Sequence, residues 1–160
     1  MVDLNPGSLL AKDPRKIRTL LVEDNGAFLD YVRGVLARNP AVHIIGQARD
    51  GLEAIQSATE LIPDLILLDI GLPRMDGLQV ARNVLHNVPK CRIIFLTQEG
   101  GADFVELAFE IGAAGYVLKT RANQDLWRAV IHVCEGRRYL GSGLEPPPKF
   151  QSVVQPVGAS

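Results

Sequence analysis

Residues 64–77 read DLILLDIGLPRMDG, and the fold turns on this stretch. Leu65, Ile66, Leu67 and Leu68 form an apolar run with no alternation, the pattern of a strand buried on both faces, as in a parallel sheet. The run ends on Asp69, and a turn containing Gly71, Pro73, Asp76 and Gly77 follows. A carboxylate at the end of a buried strand costs desolvation energy unless something pairs with it. The stretch therefore asks for a sheet around it and a partner for its acid.

The sheet is found by working outward. Four more apolar runs have the same character: RTLLVED (18–24), VHIIGQA (42–48), CRIIFLT (91–97) and GYVLK (115–119). Helical spacing fills the intervals. Phe28, Val32, Val35 and Leu36 share one face, and so do Ile55, Ala58 and Ile62, with Asp50 and Glu53 as a capping box in front. Val80, Ala81, Val84 and Leu85 make a third stripe. Phe104, Leu107, Ala108 and Ile111 make a fourth, closed by Gly112. Leu126, Ala129, Val130 and Val133 make a fifth, stopped at Gly136. Five alternations of strand and helix specify an α/β fold with right-handed crossovers.

The chain has 160 residues, one domain's worth. Residues 1–16 carry no period and read as an N-terminal extension, 17–140 as the folded domain, and 141–160 as a proline-rich tail or linker, extended or disordered. Lys and Arg number 17 against 18 Asp and Glu, which argues against broad electrostatic binding to nucleic acid or to an anionic membrane. No run is long enough to span a bilayer and no secretory signal opens the chain, so the expected compartment is the cytoplasm. Cys91 and Cys134 sit in apolar segments and read as core residues; His43, His86 and His132 are scattered, and nothing has zinc-site spacing. Trp127 reads as a packing residue and Arg137-Arg138 as a solvated helix end.

The acid's partner is sought at the other strand ends. The first strand ends on Glu23-Asp24, the fourth on Thr97 and the fifth on Lys119. In an open parallel sheet, ligands bind beyond the carboxyl ends of the strands, where strand order reverses. If the first and third strands are neighbours there, three carboxylates crowd together. Like charges about 4 Å apart repel by roughly 4 kcal/mol at an effective dielectric near 20. Such a group needs a cation, and Mg²⁺ suits it, taking one or two carboxylates and keeping positions for phosphate oxygens. Three carboxylates, one divalent cation and the Lys119 ammonium then sum to zero charge. Asp is a competent nucleophile toward phosphorus. Thr97 can donate to a phosphoryl oxygen, and Lys119 can add positive charge.

With these residues in place, the chain resembles a response-regulator receiver domain of two-component signalling, from about Arg18 to Leu140. Glu23-Asp24 matches the family's acidic pair, Asp69 in DIGLPRMDG its phosphoacceptor, Thr97 in FLTQ its hydroxyl, Lys119 in YVLKT its lysine and Tyr116 its aromatic switch. QARDGLEAI, GAAGYVLKT and EGRRYLG resemble the NarL/FixJ subclass with LuxR-type output. The resemblance implies a single doubly wound, flavodoxin-like domain with a five-stranded parallel sheet of order 2-1-3-4-5 and five helices. It implies direct metal ligation by Asp24 and Asp69, a backbone carbonyl from Gly71, and Glu23 acting through water. It further implies a sensor histidine kinase or phosphotransfer protein as donor, partner binding through the fourth helix, fifth strand and fifth helix, and no enzymatic turnover beyond the protein's own phosphorylation and dephosphorylation. Homodimerisation is left open. DNA contact would come only through an effector domain absent from this chain, and no membrane partner is expected.

Two departures matter. Many receivers have proline after the lysine; here Thr120 follows Lys119, which leaves the geometry of that bond open. Position 71 is glycine, with no side chain beside the acceptor. Two other functions compete. An aspartate-nucleophile phosphatase on the same sheet type usually wants a second acid where Gly71 stands. An unphosphorylated adaptor would not need the complete set of acids, hydroxyl and lysine. A stand-alone receiver acting only through protein contacts is the alternative to a transcriptional output.

Overall fold

The computed structural model describes residues 16–150. Residues 1–15 of the expected extension and 151–160 of the expected tail lie outside the described residues. Six strands form one parallel sheet: β1 (Ile17–Val22), β2 (Val42–Ala48), β3 (Leu65–Leu68), β4 (Arg92–Thr97), β5 (Gly115–Leu118) and β6 (Tyr139–Leu140). Their order is β2-β1-β3-β4-β5-β6. The expected five-strand order is present, with β6 added at the β5 edge. Two residues are too few to show a period, so β6 left no signal in the sequence.

Five α-helices fill the crossovers: α1 (Gly26–Leu36), α2 (Gly51–Leu61), α3 (Gly77–Asn87), α4 (Ala102–Ile111) and α5 (Ala122–Cys134). One core lies between the sheet and α2, α3 and α4, with Leu20, Ile66, Leu68, Val80, Phe95 and Phe109 among its buried side chains. The other lies between the sheet and α1 and α5, built on Leu21, Leu67, Ile94, Leu126 and Val130. Helices on both faces explain why the strands read as unbroken apolar runs. Cys91 is buried in the first core and Cys134 packs against the second; both are free thiols. Trp127 also packs against the second core, as the sequence suggested.

Three of the five helices, α1, α2 and α3, start on side-chain caps. Asn25, Asp50 and Asp76 each accept a hydrogen bond from the backbone N–H three residues on. The Asp50–Glu53 box is half formed as expected, but Glu53 Oε1 accepts from the Arg49 N–H, one residue further back. Gly112 does close α4, at φ 117°.

Two of the expected helix faces hold except at one residue each: Ile55, Ala58, Leu107, Ala108 and Ile111 lie in or against the first core, while Ile62 and Phe104 do not. Ile62 is not on the buried stripe of α2; it is the C-cap, left-handed at φ 48° and 60 % exposed. Ala58 is buried as expected, Ile55 packs against the core, and Ala54 joins them. In α4 the buried positions are Val105, Ala108 and Phe109, while Phe104 is exposed. Seven of its ten residues, ADFVELAFEI, are apolar. Asp103, Glu106 and Glu110 mark one polar face, but apolar residues cover the rest of the helix, a stripe too wide to show which edge of it is buried.

The segment expected to trail from the domain also differs. Over 142–150 the chain lies on the body, with Leu144 and Pro147 buried and a final 3₁₀ turn at Pro148–Phe150. Its apolar anchors have neither helical nor strand spacing, so periodicity could not register them.

Candidate functional site

The carboxyl ends of β1, β3, β4 and β5 carry the residues singled out in the sequence. Parallel register aligns Val22 with Leu68, Leu68 with Phe95, and Thr97 with Leu118. Glu23, Asp69 and Lys119 each follow directly on their strands, and Thr97 closes its own. Glu23 and Asp69 are each 6 % exposed, whereas Asp24 is exposed. One oxygen from each of the three carboxylates lies within 4.8 Å of the others. The crowding inferred from strand order is therefore present.

Lys119 answers the question posed by Asp69. Its ammonium stands 3.0 Å from Asp69 Oδ2 and 2.8 Å from Glu23 Oε1, with Glu23 Oε2 at 3.0 Å. Burial works to lower the Lys119 ammonium, but hydrogen bonds and charge from Glu23 and Asp69 outweigh it and hold it above the ordinary lysine value. Glu23 is pushed up, first by burial and then by the Asp69 charge, against hydrogen bonds from Lys119 and the Asn25 N–H. A single ammonium shared by two buried acids leaves negative charge incompletely offset. That shortfall, with three oxygen-donor side chains converging on one point, suits a hard divalent cation.

Backbone geometry fixes Asp69 in place. Its N–H donates to the Val22 carbonyl at 3.2 Å, and Oδ1 accepts the Gly71 N–H at 3.2 Å. Gly71 itself is exposed, and a Cβ built on it would meet nothing within 4 Å. Gly77 is the opposite case. Its N–H donates to Ile70 O at 2.7 Å, and an added Cβ would fall 2.1 Å from the Asp69 carbonyl oxygen.

Thr97 is buried, and its Oγ1 accepts the Glu99 N–H at 3.2 Å. Tyr116 is fully buried, and its hydroxyl donates to the Glu99 carbonyl. Burial first, then the Glu99 and Asp69 charges, raise its pKa, so it stays a hydrogen-bond donor. Tyr116, matched in the sequence to the family's aromatic switch, is thus a core residue tied to the loop after Thr97. No peptide bond among the described residues is cis, so the Lys119–Thr120 bond is trans; it opens a 3₁₀ turn over Lys119–Arg121.

Two contributors escaped the sequence reading. Phe28, assigned there to the apolar stripe of α1, is half-buried and lies 4.9 Å from the Lys119 ammonium, ring centroid to Nζ. Asn25 caps α1 and also offers its N–H to Glu23 Oε2 at 3.0 Å. An Asn directly before a helical run is the signal that could have found the cap. The ring over the lysine had no such signal, because the two residues lie far apart in sequence.

Comparison with known proteins agrees with this geometry. The family model for the response regulator receiver domain matches residues 19–131. Protein-glutamate methylesterase/protein-glutamine glutaminase 2 of Carboxydothermus hydrogenoformans is 41 % identical over 106 residues, 65 % of this chain and 30 % of that protein. Transcriptional regulatory protein DegU of Brevibacillus brevis is 28 % identical over 125 residues, 78 % of this chain and 53 % of that protein. The chain thus spans about half or less of these relatives. Among solved structures, the signal receiver domain of the putative response regulator NarL from Mycobacterium tuberculosis superposes with a TM-score of 0.73 at 31 % identity, covering 78 % of this chain and all of that one. With that match running through most of the chain and the acids, threonine and lysine gathered beyond its strands, the protein belongs to the response-regulator receiver family of two-component signalling.

Proposed function

We propose that Asp69 is the phosphoacceptor of this receiver. The supporting observation is the pocket itself: two buried carboxylates and one exposed carboxylate converge beside a single shared ammonium. In the transfer, the P–N bond of a donor phosphohistidine on a sensor kinase or phosphotransfer protein breaks as a P–O bond to Asp69 forms. The electron pair leaves with the donor imidazole. Asp24, Asp69 and the Gly71 carbonyl would hold Mg²⁺ directly and Glu23 through water. A cation bound there supplies positive charge for the phosphoryl oxygens. Lys119 then turns from Asp69 to a phosphoryl oxygen, and the Thr97 hydroxyl donates to another. The added charge, near −2 at about neutral pH, draws both inward, and Tyr116 carries the change to the surface of α4, β5 and α5.

We further propose that the output is a change in dimerisation or partner binding, in transcriptional regulation. DegU, named a transcriptional regulatory protein, is among the relatives; the methylesterase relatives make control of an attached enzyme the alternative. DNA contact would belong to an effector domain. On this reading the receiver catalyses only its own phosphorylation and dephosphorylation. Among the described residues no helix is long and apolar enough to cross a membrane, in keeping with a cytoplasmic place of action.

Incubation with Mg²⁺ and acetyl phosphate, read by intact mass, tests the assignment. The parent should gain one phosphoryl group and Asp69→Asn none. Equal labelling of the two overturns it.

A further inference from the structure

Residues 141–150 cross the body of the receiver and fasten at four places. The Gly141 N–H donates to Tyr116 O at 2.8 Å, continuing β6. Asp125, only 1 % exposed on α5, holds the next residue: the Ser142 N–H and hydroxyl both donate to Oδ2, at 2.8 and 2.6 Å, while the Tyr139 hydroxyl donates to Oδ1 at 3.2 Å. Leu144 is buried in the same cluster as Tyr116 and beside Leu118. It stands next to Gly100, where an added Cβ would lie 3.7 Å from Leu144 Cδ2. At the far end, the Phe150 ring centroid is 5.6 Å from that of Phe109 and 5.0 Å from the Arg138 guanidinium, and Lys149 pairs with Glu110 at 3.0 Å. The segment bridges the start of α5, the loop between Thr97 and α4, and the C-terminal half of α4.

That loop is the part of the fold on which a phosphoryl group at Asp69 would pull. Thr97 Oγ1 accepts the Glu99 N–H, and the Glu99 carbonyl accepts the Tyr116 hydroxyl. A shift of Thr97 toward a phosphoryl oxygen strains the first bond, and the second leaves Tyr116 dependent on where Glu99 goes. Residues 98–100 would follow, and Gly100, which stands against Leu144, would shift with them.

We propose that residues 141–150 are an intramolecular strap, docked when Asp69 is unmodified and released when it is phosphorylated. The proposal rests on the reading of Asp69 as phosphoacceptor. Thermodynamic linkage fixes the reciprocal effect: by whatever factor the modification weakens docking, the docked strap weakens binding of a phosphoryl analogue.

The test uses the full 160-residue chain. Amide hydrogen exchange of residues 142–150 is followed with Mg²⁺ alone and with Mg²⁺ plus beryllofluoride. Beryllofluoride affinity is then measured for the parent, Phe150→Ala and Leu144→Ala. Phe150→Ala removes a half-buried ring that packs on the outside of the first core at the strap's end; Leu144→Ala, within that core, is the stronger variant. Exchange over 142–150 should quicken about fivefold or more in the parent when beryllofluoride binds, and both variants should bind it more tightly by about threefold or more. A parent that binds beryllofluoride with unchanged exchange over 142–150 overturns the strap. So do variants whose strap exchanges faster while their affinity equals the parent's. A parent that binds no beryllofluoride overturns the phosphoacceptor reading and the strap together.

Discussion

Gly71 and Gly77 sit in one loop and carry opposite constraints. The space around Gly71 is open, whereas a Cβ at Gly77 collides with backbone atoms of Asp69 and Ile70. Gly77→Ala should therefore destabilise the fold by roughly 3 kcal/mol or more in chemical denaturation, since backbone cannot yield as a flexible side chain can. Gly71→Met should fold like the parent. Its side chain would stand over the acceptor and restrict water, so the phosphoryl group on Asp69 should last about threefold longer, a barrier change under about 1 kcal/mol. A parent-like dephosphorylation rate in Gly71→Met would remove water access as the reason. The thiols give a second residue-level expectation. Burial, reinforced by the Asp64 charge, pushes Cys91 up to about 12, and burial pushes Cys134 up to about 11. Raised values mean protonated thiols through the neutral range, and the thiolate is the reactive form. At pH 8 neither should react with iodoacetamide in the folded protein within the time both label in denaturant; native labelling should climb only as pH approaches those values. Lys119 shows how far a residue alone can be read. As a type it is most often a surface lysine; only its position after β5 put it against Glu23 and Asp69.

Helix ends decide much at the scale of elements. Ile62 closes α2 in a left-handed conformation that a β-branched side chain adopts at a cost, and it gains little burial in return. The guanidinium of Arg18 partly compensates by donating to the Leu61 and Ile62 carbonyls, at 2.7 and 2.6 Å. Because those bonds are made to backbone, Ile62→Gly keeps them and relieves the strain. It should raise stability by roughly 1 kcal/mol and shift the thermal midpoint upward, with no change in phosphoryl uptake. A lower midpoint would mean that the side chain contributes more than its exposure indicates. Of the caps only Asp50 was read from the sequence; Asn25 and Asp76 are cap-type residues whose role the structure supplied, and α4 and α5 start without a side-chain cap. The buried edge of the α4 stripe was not legible, because Phe104 and Phe109 are equally apolar and only the sheet beneath chooses between them. The buried carboxylate of Asp125 was equally silent, since its donors Tyr139 and Ser142 arrive from beyond the helix.

On the scale of the whole molecule, three acids meet only because β1 and β3 are neighbours. A cation that binds this folded arrangement and not the unfolded chain stabilises it by mass action. Mg²⁺ at a hundred times its Kd should add about 2.7 kcal/mol to the unfolding free energy, and the resulting rise in thermal midpoint should vanish in Asp24→Asn. An equal rise in that variant would place the ion elsewhere. The sequence by itself determined the alternation of buried strands and helices, the Asp50 cap, and the residue types at each strand end. Those features are local, because they follow from short unbroken apolar runs, from a period of 3.6 residues and from the chemistry of single side chains. Only the tertiary structure decided which acids share the Lys119 ammonium, that Phe28 stands over it, which edge of the α4 stripe is buried, and that residues 142–150 lie against the body. Each of these depends on contacts between segments far apart in the chain, and no local period encodes such contacts.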